Sequence, residues 1–266
     1  MYLDTPNQGM RCIREIIEAS GNQNVRPLHY EVFDTRGKAQ FPGLDFDLYI
    51  STGGPGDPLE SEGSAWEEKF FALMEAIKHH NRIDPGNKKH VFLICHSFQV
   101  FCRHYEYGKV SKRKSTSFGV MTCHKTSTGK QELLLKGLAD PFWVVDSRDY
   151  QLTQPDLLKL RNEGGSVLCI EKFRPHVNLE RAVMAIRFDD AFVGTQFHPE
   201  ADAMGMHMYL LQDEKRELVV NKFGEKKYKN MLQQLEDPDK IMLTHDSVLP
   251  RFLEMALQSK HDAVHS

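Results

Sequence analysis

The sequence lacks any long apolar run, any leader-like start and any marked excess of charge of one sign. No run approaches the roughly 18 apolar residues that a membrane-spanning helix needs. The start of the chain has neither the basic residues nor the apolar stretch of a signal peptide. The formal net charge is −3, from 34 Lys and Arg against 37 Asp and Glu. Electrostatics therefore gives no reason to expect a nucleic acid or a membrane surface as partner.

Paired cysteine motifs are also missing. The 5 cysteines are odd in number and scattered without a Cys-x-x-Cys pair, which is typical of reduced, buried thiols in a cytoplasmic protein. No grouping of cysteine and histidine has the spacing of zinc ligands, and no Gly-Lys-Ser/Thr sequence forms a nucleotide-binding P-loop. We therefore expect no metal ion, no cofactor and a cytoplasmic location.

Short apolar runs alternate with helical patterns in the first part of the chain. The 3.6-residue and 2-residue periods predict helices at residues 9–19, 65–81 and 98–105 and strands at 25–33, 46–51 and 91–95. Only residues 1–3 precede the loop at 5–7, so a first strand there would be curtailed. This order predicts an α/β fold with a mainly parallel central sheet and helices on both faces.

The pattern of predicted elements changes after about residue 108. Shorter strand-like segments follow at 117–124, 142–145, 167–171 and 183–188, and a last core strand at 193–197. From about residue 204 the chain is helical and charged, with a break at Asp237-Pro238. The simplest partition is one domain at 1–203 with a helical C-terminal extension, 204–266, packed on it. The charged run at 225–229 predicts a solvated helix face, with a partner-binding surface as the alternative.

Cys95 follows an apolar strand and precedes a helix that begins near Ser97. This is the context of a nucleophile elbow, which exposes a side chain above the carboxyl edge of a sheet. The helix N-terminus and a nearby imidazolium would favour the thiolate there. A cysteine simply buried in an apolar strand is the alternative.

His198 and Glu200 stand two residues apart at the exit of the last core strand, in Gln196-Phe197-His198-Pro199-Glu200. In extended chain, residues i and i+2 point to the same side, and Pro199 favours that geometry in the residue before it. The pair has the composition of a general base with an orienting carboxylate. For His198 alone, a hydrogen-bonded histidine at a strand end would be the better interpretation.

A glycine-rich turn, Gly53-Gly54-Pro55-Gly56, follows the strand at 46–51. Glycine lets backbone approach a ligand closely and aim N–H groups at it, which suits an anion cradle or an oxyanion hole. Taken alone, a plain tight turn is favoured.

The glycine turn, the cysteine and the His-Pro-Glu sequence, in this order, resemble the class I glutamine amidotransferase family over roughly residues 1–203. The resemblance implies a flavodoxin-like α/β fold and hydrolysis of the glutamine side-chain amide through a γ-glutamyl thioester. By resemblance, Cys95 is the nucleophile, His198 shuttles the proton and Glu200 orients His198. Within the family the chain is most similar to the stand-alone proteins that resemble the amidotransferase domain of GMP synthase.

The resemblance also implies the remaining residues of the site. Backbone N–H groups of Gly54 and His96 would stabilise the oxyanion. Gln99, four residues beyond the nucleophile, matches a substrate-binding glutamine of the family, and Gly53 belongs to the same substrate site. The segment 146–150 stands where the family contacts the α-amino and carboxylate groups of glutamine, so Ser147 and Arg148 are candidates for those contacts.

Three positions and one segment depart from the family pattern. Its elbow is Gly-x-Cys-x-Gly, whereas this sequence has Leu93 and Ser97 at the two glycine positions. Ser97 is still small, but Leu93 needs space from elsewhere in the fold. His96 replaces an apolar residue, so it either tunes the nucleophile, contacts substrate or faces solvent. The Ser-His type of signature is absent from 146–150.

Three functions are compatible with these patterns. The first is a glutaminase that supplies ammonia to an acceptor; its synthetase partner would be a separate chain, because no Ser-Gly-Gly-x-Asp-Ser pyrophosphatase loop occurs. The second is a hydrolase of γ-glutamyl peptides or other amides with the same triad, which the altered segment 146–150 fits. The third is a non-catalytic binding module that retains the fold, as Leu93 would suggest. A homodimer is compatible with each of the three functions.

Overall fold

The computed structural model describes residue 1 and residues 8–23, 28–237 and 239–265. The predicted strand at 25–33 lies partly outside these residues, and 28–33 form no strand. Residues 2 and 3 of the curtailed first strand also lie outside them. The strands are β1 (Leu48–Ser51), β2 (His90–Ile94), β3 (Lys109–Lys125), β4 (Phe142–Thr153), β5 (Ser166–Glu171), β6 (Val183–Arg187) and β7 (Phe192–Thr195).

Helices surround this sheet and make up the C-terminal part of the described chain. They are α1 (Gln8–Gln23), α2 (Ala65–Ile83), α3 (His96–His104), α4 (Leu157–Asn162), α5 (Ala203–Leu210), α6 (Asp213–Phe223), α7 (Glu225–Leu235), α8 (Ile241–His245) and α9 (Val248–His265). The described chain leaves α7 at Leu235 and enters α8 at Ile241, in agreement with the predicted break.

The sheet is mixed, and the expectation of a mainly parallel sheet is wrong. Its strand order is β1-β2-β7-β6-β4-β3-β5. Only β1, β2 and β7 are parallel neighbours, whereas the pairings among β3, β4, β5, β6 and β7 are antiparallel. The physical reason is the connections: β6 reaches β7 through four residues, far too few for the crossover that parallel pairing requires.

The antiparallel strands close on themselves, because β5 pairs with both β3 and β6. Over residues 146–150 of β4 buried and exposed positions alternate, so that Asp146 and Arg148 are buried while Ser147 is exposed. Arg148 Nε donates to Asp146 Oδ1 at 2.9 Å, and Arg113 Nη2 donates to Glu171 Oε1 at 2.8 Å. Charged side chains that pair with one another therefore fill part of this small barrel.

Helices cover both faces of the parallel strands. Val91 and Leu93 of β2 pack with residues of α2 and α3, and the alternate residues Phe92 and Ile94 pack with α1 and α9. A strand buried on both faces reads as a continuous apolar run, which explains why β2 was predicted well from its sequence.

The C-terminal helices belong to two different cores. Residues of α5, α6, α7 and α8 pack on Val120 of β3 and Val145 of β4, whereas α9 packs with α1 against β2. The division into 1–203 and 204–266 stays a prediction. In α7, Lys226 and Lys229 are exposed while Tyr228 is buried, as expected of a solvated helix face.

Two further observations bear on the composition. All five cysteines are buried and free of disulfide bonds. Among the described residues, no helix combines the length and apolar character needed to cross a membrane.

Candidate active site

Cys95 lies at a sharp turn between β2 and α3, as the sequence predicts. Its backbone has φ 52° and ψ −99°, a conformation that is costly for a non-glycine residue and that persists where surrounding contacts enforce it. Two of these contacts are backbone hydrogen bonds: Cys95 N–H donates to Thr195 O at 2.7 Å, and Gln99 N–H donates to Cys95 O at 3.0 Å. The elbow therefore joins β2, β7 and the first turn of α3.

Ser97 holds the turn through its hydroxyl group. Its Oγ accepts from the Ile94 N–H at 2.9 Å and donates to Ser51 O at 2.7 Å. The side chain that replaces a family glycine thus connects the end of β1 with the end of β2. Ser97 is fully buried, so these partners substitute for water.

Leu93 is accommodated by a glycine on the neighbouring strand. It is fully buried and pairs in register with Gly194 of β7. A Cβ atom built on Gly194 would lie 3.2 Å from the Leu93 Cβ and 2.7 Å from Phe98 Cδ2. The family pattern has a glycine at position 93, whereas in this protein the residue without a side chain is Gly194, on the neighbouring strand.

His198 and Glu200 form a close pair beyond the end of β7. The distance between His198 Nδ1 and Glu200 Oε1 is 2.8 Å, and Glu200 is fully buried. Burial alone would lower the pKa of His198, but the charges of Glu200 and Cys95 and hydrogen bonds to both hold this pKa well above its ordinary value. Glu200 therefore contacts the imidazole at the nitrogen through which it would orient the ring, and that catalytic role stays a prediction.

Gly53 lies close to both Cys95 and His198. A Cβ atom there would lie 3.0 Å from His198 Cε1 and 3.3 Å from Cys95 Cβ. The adjacent Gly54 has no room for a side chain either, because its Cβ would collide with the carbonyl oxygen of Met1. Close backbone approach, the predicted use of these glycines, is therefore found at both positions.

His96 is buried rather than solvent-facing, so the third interpretation of this residue is wrong. It is 2% exposed, and its ring centroid lies 6.4 Å from that of Trp66. Burial and the nearby charge of Arg36 lower the pKa of His96 to about 3. Within the described part of the chain, its Nε2 has no hydrogen-bond partner. His96 is thus a neutral imidazole beside the nucleophile.

Ser147 and Arg148 occupy different sides of β4. The Ser147 carbonyl oxygen lies 3.7 Å from Cys95 Sγ, so its backbone borders the site. The Arg148 side chain is 1% exposed and is engaged by Asp146 and Glu171. These two carboxylates already engage the Arg148 guanidinium, and its contact with substrate stays a prediction.

Gln99 reaches the site through another glutamine. Its Nε2 donates to Tyr150 O at 3.2 Å and to Gln196 Oε1 at 2.9 Å, and Gln196 Nε2 lies 3.6 Å from Cys95 Sγ. No function was predicted for Gln196 from the sequence. The signal that could have found it is its position two residues before His198, the same spacing that links His198 to Glu200.

A cavity of about 740 Å³ lies elsewhere, between α1, residues 28–35 and β1. Cys95, His198 and Glu200 are absent from its lining. Met1 and Leu28, which line it, are chain neighbours of residues outside the described set. We therefore do not assign this cavity as the site.

A cysteine at a strained strand-to-helix turn, with a histidine–carboxylate pair against the same glycine, is the geometry of a thiol nucleophile site. The family model for class I glutamine amidotransferases matches residues 10–218. The chain therefore belongs to the class I glutamine amidotransferase family. This confirms the family resemblance; the narrower similarity to GMP synthase proteins stays a prediction.

Solved structures share the fold. A glutamine amidotransferase from Thermotoga maritima is 17% identical with a TM-score of 0.67, over 96% of this chain and 95% of that one. A glutamine amido transferase from Methylobacillus flagellatus is 17% identical with a TM-score of 0.52, over 79% of this chain and 74% of that one. No curated protein sequence matches significantly. The first similarity extends over almost the whole chain, including the C-terminal helices.

Proposed function

We propose that this protein hydrolyses the side-chain amide of glutamine and releases ammonia for an acceptor. The observation that carries the proposal is the meeting of Cys95 and His198 at Gly53, where a Cβ atom would lie 3.3 Å from the one and 3.0 Å from the other. A side-chain hydrogen bond between His198 and Cys95 is among the interactions that raise the pKa of His198, and a nucleophile and its base need such a contact for proton transfer.

The first half of the reaction forms a γ-glutamyl thioester. Cys95 transfers its proton to His198, and its sulfur attacks the amide carbon, so that an S–C bond forms and the carbonyl electrons move onto oxygen. Backbone N–H groups of Gly54 and His96 stabilise that oxyanion. When the intermediate collapses, the C–N bond breaks and His198 returns the proton to the leaving nitrogen, which departs as ammonia.

The second half hydrolyses the thioester. His198 takes a proton from water, whose oxygen attacks the thioester carbon. The S–C bond then breaks and His198 returns the proton to the sulfur, which gives glutamate and the Cys95 thiol. Glu200 holds Nδ1 throughout, which directs Nε2 to the reacting atoms. The raised pKa of His198 favours the protonated imidazole that must serve as acid when ammonia leaves.

The ammonia acceptor is proposed to be the substrate of a synthetase on a separate chain. The family membership supports a glutaminase, whose ammonia the synthetase would use in the second reaction. The helices α5 to α8 pack beside β4, whose Ser147 carbonyl borders Cys95. They are the proposed site of contact with that chain. A homodimer and a cytoplasmic location belong to the same proposal.

A second candidate is a hydrolase that uses the same triad on γ-glutamyl peptides or other amides. One specific observation favours it: Arg148, in the segment that should hold free glutamine, is engaged by Asp146 and Glu171 instead. The third candidate, a non-catalytic module, was suggested by Leu93. This support is weakened because the elbow at Cys95 forms with Leu93 in place against Gly194.

Hydrolysis assays on the purified chain distinguish these candidates. We expect ammonia release from glutamine, abolished in Cys95→Ala and retained in Cys102→Ala, a matched variant of a buried cysteine in the helix that follows Cys95. Release from γ-glutamyl amides but not from glutamine would favour the second candidate. Equal turnover by the wild type and Cys95→Ala, or no turnover of either substrate, would contradict the proposal.

A further inference from the structure

Besides His198, the Cys95 sulfur has one backbone acceptor and one side-chain donor within reach, Ser147 O and Gln196 Nε2. The Ser147 carbonyl oxygen, at 3.7 Å, can only accept, so it binds the S–H of the neutral thiol. Gln196 Nε2, at 3.6 Å, can donate to the sulfur in either protonation state. When the thiol proton passes to His198, the contact with Ser147 loses its hydrogen, but the contact with Gln196 remains and strengthens on a charged acceptor.

The orientation of the Gln196 amide is fixed by a chain of hydrogen bonds. Tyr150 O accepts only, so the Gln99 group that faces it at 3.2 Å must be the NH2 group. The same nitrogen lies 2.9 Å from Gln196, whose facing atom must therefore be the carbonyl oxygen. This leaves the Gln196 NH2 group directed at the sulfur. The backbone of β4 thus determines which atom Cys95 meets.

Burial makes this arrangement effective. Gln196 is fully buried and Gln99 is 3% exposed, so water cannot replace either partner. A hydrogen bond to a charged sulfur is stronger in such a low-dielectric environment than in water. An amide turned the other way would place its oxygen against the thiolate and destabilise it.

We infer that Gln196 is a catalytic residue that stabilises the Cys95 thiolate through its amide N–H, and that Gln99 is the positioning residue that fixes the Gln196 amide. Gln99 thereby acts through Gln196 rather than through substrate alone. The inference rests on the proposed function only in taking Cys95 as the nucleophile.

The test is the rate at which iodoacetamide alkylates Cys95 between pH 5 and 10, with the modified peptide identified by mass. Removing a donor from a thiolate moves the profile to higher pH and makes each remaining thiolate more nucleophilic. For Gln196→Met we expect a profile moved up by about one pH unit, alkylation about threefold slower at low pH and about threefold faster at the high-pH plateau. A structural disturbance alone would change both limbs in one direction.

Two variants make the result specific. In Gln99→Met the Gln196 amide can turn, so we expect a smaller shift in the same direction. The double variant Gln99→Met with Gln196→Met should match Gln196→Met alone, because Gln99 acts through Gln196. Additive shifts would contradict the positioning role of Gln99.

Gln151→Met is the matched control, because this β4 amide bonds Arg113 at 2.6 Å and not the sulfur. Its profile should equal that of the wild type, and an equal shift there would overturn the inference. Gln196→Glu provides a second, nearly isosteric variant if Gln196→Met does not fold. A buried carboxylate at this position should move the profile to higher pH still, and an unchanged profile would overturn the inference.

The alkylation profile does not require turnover of glutamine. In one outcome, Gln196→Met is alkylated more slowly than the wild type at low pH and faster at high pH, but the wild type does not hydrolyse glutamine. This would support Gln196 as thiolate donor and contradict the proposed function. Glutamine hydrolysis by the wild type, with the same alkylation profile in Gln196→Met as in the wild type, would support the proposed function and contradict Gln196 as thiolate donor.

Discussion

Leu93 and Gly194 are complementary partners across the β2–β7 pair, in register with each other. A Cβ on Gly194 would lie 3.2 Å from the Leu93 Cβ and 2.7 Å from a ring carbon of Phe98. The large residue before the nucleophile and the missing side chain opposite it therefore form one packing unit. The strained turn at Cys95 is built on this unit.

Gly194→Ala should destabilise the protein by about 1–3 kcal/mol, because the new methyl group overpacks the contact with Phe98 and Leu93. Urea unfolding measures this cost. Gly86→Ala is the control, since the nearest atom to its Cβ would be 4.0 Å away. The double variant Gly194→Ala with Leu93→Ala should lose less unfolding free energy than the two single variants lose together. Strictly additive costs would show that the two positions are independent.

Ser97→Ala should cost about 1–3 kcal/mol of unfolding free energy, because it leaves the buried Ile94 N–H and Ser51 carbonyl without their partner. It should also lower alkylation of Cys95 by loosening the turn. Ser64→Ala is a suitable control, since among the described residues the Ser64 hydroxyl has no hydrogen-bond partner. A loss in Ser64→Ala as large as that in Ser97→Ala would contradict the account of the elbow.

His96 should make the protein sensitive to acid. The pKa of His96 is about 3 in the folded chain and about 6.5 when unfolded, so the unfolded state binds a proton first as pH falls. Its effect on stability is absent above about pH 6.5 and grows as pH falls towards 3. Between pH 7 and 5 the wild type should lose about 2 kcal/mol more than His96→Leu. Unfolding titrations at the two pH values measure this, with exposed His79→Gln as control; parallel losses in His96→Leu and the wild type would contradict it.

His198 should have the opposite effect. Its pKa in the folded chain is raised, so the protonated imidazole stabilises the fold fully below about pH 6.5, its unfolded value. This stabilisation is lost as pH rises from there through the folded pKa. The difference in unfolding free energy between the wild type and His198→Gln should therefore be largest at pH 6 and shrink towards pH 9. A difference that grows with pH would refute the raised pKa.

Local patterns predicted the elements well but not their pairing. The apolar run of β2 and the amphipathic period of α2 are properties of neighbouring residues, and both elements were found within about two residues of expectation. Strand direction depends on connections and long-range contacts. The contacts of β5 with both β3 and β6, which close the barrel, leave no local sequence signal.

The site was predictable to the extent that each residue carried its own motif. Gly53 lies close to Cys95 and His198, and His198 contacts Glu200, while their roles in catalysis stay predictions. Sequence position does not reveal which face of β4 a side chain occupies, so the ion pairs of the buried Arg148 with Asp146 and Glu171 were not predicted. The part played by Gln196 depends on Gln99 and Tyr150, more than 40 residues away along the chain in each case, and this contact could be found only in three dimensions.

Labelling with a glutamine-mimicking electrophile tests the central claim most directly. The account predicts covalent modification of the peptide that contains Cys95, prevented by excess glutamine and strongly slowed in His198→Ala. Modification of another cysteine, or a folded protein in which Cys95 stays unlabelled, would contradict the assignment of Cys95 as the nucleophile for glutamine.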